Sequence, residues 1–293
     1  MINTIATLPE LSRTVWALDP VCLTGLLTHA KINEPTPYAP ADPEQYEARA
    51  ARLPSSSGSI AVLPIRGILS HRGFGGLLGM LFGGTQLDEF GKVFDMVIAE
   101  KGVGAVVLDI DSPGGSVMGM TEAAAKIRAG REVKHVVAVA NCMALSGGYY
   151  LGSAASQLIV SPSGMVGSVG VYREHTDYSA AEEAAGIKTT FISAGEHKTE
   201  NMEPLTDDSR AAIQSQVDTY YEQFVADVAK GRGTTARTVK DTYGKGRSIT
   251  AANALSAGMV DRVATLEEVI RVMSRSKTPR SDAANRRMRM MDL

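Results

Sequence analysis

Ser146 stands in a setting that suits a nucleophile. It lies in residues 144–150 (ALSGGYY), beyond an apolar run, 135–140 (HVVAVA), that reads as a strand. It would open a helix, where free backbone amides and a partial positive charge gather. A second glycine-rich turn, residues 109–116 (DIDSPGGS), closes another strand-like run, 103–110 (VGAVVLDI). Pro113 fixes one backbone angle there, and Gly114 and Gly115 let the main chain approach a ligand closely. Together the two turns could supply a nucleophile and the amide donors for an oxyanion. Each also has a plainer explanation. Ser146 suits a helix N-cap, and the glycines suit a tight strand-to-helix turn. The G-x-S-x-G elbow pattern is not met, because Ala144 replaces its first glycine.

A serine nucleophile needs a base. The five histidines are His29, His71, His135, His175 and His197, and none is well placed by sequence. Lys198 is the other option. It lies in residues 194–202 (AGEHKTENM), after a run, 189–193 (TTFIS), that reads as a strand. Taken alone it is an ordinary surface lysine. A lysine in water has a pKa of about 10.4, so keeping one neutral at pH 7 takes roughly 4.6 kcal/mol. Desolvation is the means, since it disfavours the ammonium. A catalytic Lys198 must therefore be buried when the site is assembled.

The elements that position these turns read as alternating strands and helices from residue 59 onward. Apolar strands are expected at 59–69, 103–110, 135–140, 157–160, 189–193 and 259–263, with a further one at 169–172. Helical spacing runs through 86–101, 117–129, 146–155, 178–185, 206–231, 250–257 and 266–273. Repeated strand–helix–strand units with near-continuous apolar strands predict an α/β fold, a mostly parallel sheet flanked by helices. Sites in such folds collect beyond the carboxyl ends of the strands. Residues 1–57 read as an N-terminal appendage. It holds an amphipathic helix over 15–30 (Trp16, Leu18, Leu23, Leu26, Leu27) and then a proline-rich linker (Pro35, Pro37, Pro40, Pro43). A docking or propeptide-like role is an alternative for that segment. Residues 58–273 form the main domain, and 274–293 a basic flexible tail.

The order and spacing of four motifs resemble the signal peptide peptidase A family of serine peptidases, the S49 type, on the ClpP/crotonase fold. They are DIDSPGGS, ALSGGYY, residues 164–172 (GMVGSVGVY) and residues 193–210 (SAGEHKTENMEPLTDDSR). The likeness runs over about residues 59–265, through the helix holding Tyr220, Tyr221 and Phe224 and the stretch 249–261 (ITAANALSAGMVD). It implies Ser146 as nucleophile, Lys198 as general base and Ser168 as the hydroxyl that orients the lysine. It implies an oxyanion hole from the amides of Gly115 and Gly147, with Gly114 the alternative to Gly115. For a single-unit member it also implies a homo-oligomeric ring that pairs Ser146 of one subunit with Lys198 of its neighbour. The membrane anchor and tandem repeat of other members are not seen. The segment 15–27 resembles the phage and prophage branch, whose members process capsid or scaffold proteins.

Small residues at 164–170 suggest an extended peptide held by main-chain pairing, with Val166, Gly167 and Val169 as substrate-binding candidates. The resemblance implies a preference for small or apolar side chains beside the cut. The glycine-rich run 73–84 (GFGGLLGMLFGG) reads either as an apolar lip over the cleft or as a membrane- or oligomer-facing loop. The formal net charge of −2 gives no case for nucleic acid, and 44% hydrophobic residues suffice for a sizeable core. Two cysteines, Cys22 and Cys142, make no disulfide framework, and no C-x-x-C or H-E-x-x-H spacing occurs. No cofactor or metal is expected, nor a membrane span. The expected location is cytoplasmic, in the host cytoplasm or procapsid if the chain is of phage origin. Two competing readings are a crotonase-type acyl-CoA enzyme and a non-catalytic capsid-associated protein.

Overall fold

The structure, a computed structural model, describes residues 15–18, 51–55, 58–72, 84–202 and 204–275. Ten strands form one sheet. They are β1 (Trp16–Leu18), β2 (Ala51–Ser55), β3 (Gly58–Ser70), β4 (Gly84–Gln86), β5 (Val103–Ser116), β6 (His135–Leu145), β7 (Gln157–Val160), β8 (Met165–Gly167), β9 (Ser248–Thr250) and β10 (Arg262–Val263). The helices are α1 (Leu87–Ala99), α2 (Met120–Val133), α3 (Gly147–Ser153), α4 (Ser179–Ala184), α5 (Asp207–Arg232), α6 (Ala236–Thr242), α7 (Ala251–Ser256) and α8 (Leu266–Arg275). The main path runs β10-β7-β6-β5-β3-β2, and every neighbour pair from β10 to β3 is parallel. The expected class, a mostly parallel sheet with flanking helices, is what the chain adopts.

The central strands are apolar on both faces because both faces are covered. Side chains alternate between two cores with the two-residue period of a strand. Leu63, Leu108, Ala138 and Leu158 join the larger core, under Phe90, Phe94, Ile127, Tyr149 and Phe224 from α1, α2, α3 and α5. Val62, Val107, Val139 and Ile159 face the other way, onto Val269 of α8. The long helix α5 starts with a Thr206–Ser209 capping box and stops at Gly233, whose φ of +65° suits glycine. Buried Arg131 reaches the carbonyls of Ala154, Ala155 and Gly231, tying α2 to the ends of α3 and α5.

Four expectations need correction. The simplest is the strand at 169–172: the strand lies earlier, at Met165–Gly167, and Tyr172 makes only an isolated bridge to Trp16. Residues 109–116 are not a loop after the strand, because β5 continues through Ser116. It does so because Gly114 and Gly115 still pair with β3 on one side and β1 on the other. Register shifts against β6 and β3 re-aim this final stretch. Residues 16–18 are a strand, not the start of a helix; residues 19–30 lie outside the described residues. Finally, residues 189–193 form no strand. The run has strand-like composition but no neighbour to complete its ladder among the described residues, and Ile192 is 97% exposed. The glycine-rich run 73–83 and most of the expected tail fall outside the described residues. Among the described residues, no helix is long and apolar enough to cross a membrane.

Candidate active site

The link from β6 to α3 puts Ser146 in an unusual backbone state, with φ +49° and ψ −114°. That lies outside the regions an L-residue normally occupies. Holding it there takes about 1–3 kcal/mol, which the surroundings must supply. They do so through the main chain. The Ser146 amide donates to Gly167 O at 2.7 Å, and its carbonyl accepts from the Tyr150 amide at 2.8 Å. Ser146 occupies the N-cap position of α3, yet its side chain makes no capping hydrogen bond. This removes the plainer explanation of the residue. Its Oγ instead donates a long bond, 3.5 Å, to Gly170 O. The strained backbone therefore aims the hydroxyl away from the helix it precedes.

The end of β5 comes up against this turn. Were Gly114 to carry a Cβ, that atom would stand 2.9 Å from Gly147 N, 3.0 Å from Ser146 Cβ and 2.1 Å from the carbonyl oxygen of Ala17. Only glycine fits there, both for space and for its φ of +106°. The Gly114 amide is already committed to Ser112 Oγ at 3.1 Å, and that hydroxyl donates to Gly67 O at 2.6 Å. Of the two candidate donors on this strand, Gly115 is therefore the one whose amide is not held by Ser112. Asp109 pairs with Arg66 and accepts from Asn141 at 3.1 Å, bracing the same strand. Burial raises the Asp109 carboxyl above its ordinary pKa, an effect opposed by Arg66 and Asn141. Behind Ser146, Tyr150 bonds Asp227 of α5 at 2.5 Å, and burial, reinforced by that bond, pushes its phenol well above its usual value.

Gly114→Ala should lower kcat/KM for a peptide substrate by about 100-fold or more, by displacing the amides on either side. Steady-state kinetics with circular dichroism would check it. An active, normally folded variant would place the reacting carbonyl elsewhere.

Ser168 is buried directly after β8, with φ +54° and its amide donating to Arg247 O at 2.9 Å. Val166 and Val169 are buried, and Gly167 spends its carbonyl on Ser146. Ser146, Ser168, Gly114, Gly115 and Gly147 thus gather at the ends of β5, β6 and β8. Lys198 does not join them. It is exposed, in a stretch that leaves the body after Tyr172 and returns at α5. Among the described residues, no hydrogen bond or ion pair joins it to Ser146 or Ser168. Sequence reasoning missed Ser112, Gly170, Tyr172 and β1. For β1 there was a signal, a short apolar run closed by Asp19-Pro20, which suits a strand end as well as a helix.

Residues 128–279 match Peptidase family S49. The chain belongs to this family. Ser146, Ser168 and Lys198 all lie inside the matched span of the S49 domain. The chain is 33% identical over 227 residues to the capsid assembly protease C of Escherichia phage lambda, covering 77% of this chain and 51% of that protein. It is 32% identical over 239 residues to the head-tail preconnector protein GP5 of Enterobacteria phage P21, covering 80% and 47%. A putative signal peptide peptidase SppA of Enterococcus faecium is 27% identical, covering 76% and 65%. The S49 chain thus spans about half the length of the two phage relatives. Among solved structures, a mutant of the 1510-N membrane-bound stomatin-specific protease aligns at TM-score 0.46 and 17% identity, covering 73% of this chain and 84% of that one.

Proposed function

We propose that this S49 member is a serine endopeptidase in which Ser146 attacks the peptide carbonyl and Lys198 acts as general base. The carrying observation is the buried, strained Ser146, free of its capping role and set beside the Gly147 amide. Its hydroxyl proton passes to the lysine amine and then to the leaving amine. The Gly115 and Gly147 amides hold the oxyanion, and water releases the acyl group. Ser168 orients the lysine.

Lys198 reaches the serine from a neighbouring subunit. Two features support this. Lys198 is exposed on its own chain, and packing against another copy would supply the burial that favours a neutral amine. The stretch that carries it also exposes Ile187, Phe191 and Ile192, at 58%, 43% and 97%. Apolar residues this open are suited to packing against another copy. A ring of head-to-tail contacts would bury them and deliver Lys198 at every interface.

The substrate is an extended segment of a protein. The two phage relatives direct this to a protein of capsid or head assembly, acted on in the host cytoplasm or procapsid. The proposed limits, an appendage over 1–57, a peptidase domain over 58–273 and a tail over 274–293, remain part of this reading. Two strands of the first segment nonetheless pair in the common sheet. Purified protein should cut an unfolded protein such as casein, giving discrete new termini by mass spectrometry. Intact casein after prolonged incubation with a correctly assembled oligomer would overturn the proposal.

A further inference from the structure

The strand β1 lies where a substrate would. It is a three-residue strand with main-chain partners on both edges. On one side it runs antiparallel to β5, with Trp16 opposite Ser116, Ala17 opposite Gly115 and Leu18 opposite Gly114. On the other, Trp16 N donates to Tyr172 O at 2.9 Å and Trp16 O accepts from Tyr172 N at 3.0 Å. Pairing of this kind is how an extended peptide is gripped, with side chains read alternately.

The register brings one carbonyl to the site. Val117 N donates to Val15 O at 3.3 Å. Hydrogen-bonded pairs alternate along an antiparallel ladder, so Ala17 with Gly115 is the next such pair. The Gly115 amide thus faces the Ala17 carbonyl. The same oxygen stands 2.1 Å from the point that lies 2.9 Å from Gly147 N and 3.0 Å from Ser146 Cβ. The Gly147 amide and Ser146 Cβ thus lie close to the carbonyl oxygen that the Gly115 amide faces, while the Ser146 hydroxyl itself rests on Gly170 O. The Ala17 side chain is 1% exposed and lines an apolar pocket with Met120, Tyr150 and Phe224.

We infer that residues 15–18 are a substrate of the chain's own site, and that the Ala17–Leu18 peptide bond is cut. The inference rests on the proposed serine peptidase activity. Ser146 Oγ bonds to the Ala17 carbonyl carbon, and the bond to Leu18 nitrogen breaks. The hydroxyl proton, carried by Lys198, leaves on the new Leu18 amine. Water then hydrolyses the ester, giving an Ala17 carboxylate and restoring Ser146. Until then the strand keeps other peptides out of the cleft. Ala17 agrees with the small residue the resemblance implies beside the cut, and Trp16 adds a large aromatic one before it.

The test follows the full chain by intact mass and N-terminal peptide mapping, with casein cleavage measured on the same samples. Wild type should acquire a new terminus at Leu18. Ser146→Ala, folded by circular dichroism, should remain uncut. Ala17→Asp, which would set a charge in the apolar pocket, should yield no Leu18 terminus. Wild type that cuts casein while its own 17–18 bond stays intact overturns this inference and leaves the peptidase reading standing. Wild type that cuts neither overturns both. A Leu18 terminus that persists in Ser146→Ala, or in Ala17→Asp, overturns the inference too.

Discussion

Ser146→Ala is expected to lower peptide cleavage by roughly 10⁶-fold, the scale of loss when a serine peptidase loses its nucleophile. Stability should hardly change. The hydroxyl makes one long bond, 3.5 Å, and caps no helix. A single neutral hydrogen bond contributes about 1 kcal/mol, which for a chain this size corresponds to a melting shift of about 2–4 °C. The backbone strain at φ +49° is common to serine and alanine, so it does not separate the two proteins. Casein cleavage and thermal melting on paired samples check both halves. Lost activity with a collapsed melting temperature would instead mark Ser146 as structural.

Lys198→Ala should be inactive as well, by about 10⁴-fold, the upper range for loss of a positioned base. Its value lies in combination. Ser146→Ala and Lys198→Ala each keep the half of the site that the other lacks. If neighbours share the site, a mixed ring forms a complete site wherever an intact serine meets an intact lysine. Random mixing in equal amounts gives this at about one interface in four of a head-to-tail ring. Co-expressed variants should therefore recover about a quarter of wild-type activity, as measured by casein cleavage per subunit. No recovery in rings shown to contain both variants would place Lys198 with its own chain's serine. The exposed 187–192 surface would then need another explanation.

The central sheet was legible in the sequence because its physics is local. The segments 103–110 and 135–140 are apolar apart from Asp109 and His135, as expected of strands covered on both faces. Helix α5 showed itself through the spacing of Ile213, Val217, Tyr220, Phe224 and Val228, of which Phe224 and Val228 are buried in the core. What escaped depends on partners distant in sequence. β1 is three residues long, and its strand character comes from Gly114–Ser116 and Tyr172. The run 189–193 shows the opposite case, strand-like composition without a partner in the described chain. At the site, the motifs gave the serine and the glycines. They could not show that Ser112 holds the Gly114 amide, or that Ser146 leaves its cap unused. Both follow from backbone geometry that residue types alone do not encode.

The central claim is that Ser146 is an activated nucleophile. A fluorophosphonate probe tests it most directly, because the probe reacts with an activated serine and not with a helix cap. After labelling, the protein is digested and the modified residue mapped by mass spectrometry, alongside Ser146→Ala. The expected result is one adduct, on the peptide containing Ser146, with casein cleavage lost in proportion and no adduct on the variant. Labelling of a different serine, or full casein cleavage with Ser146 unmodified, would contradict the account.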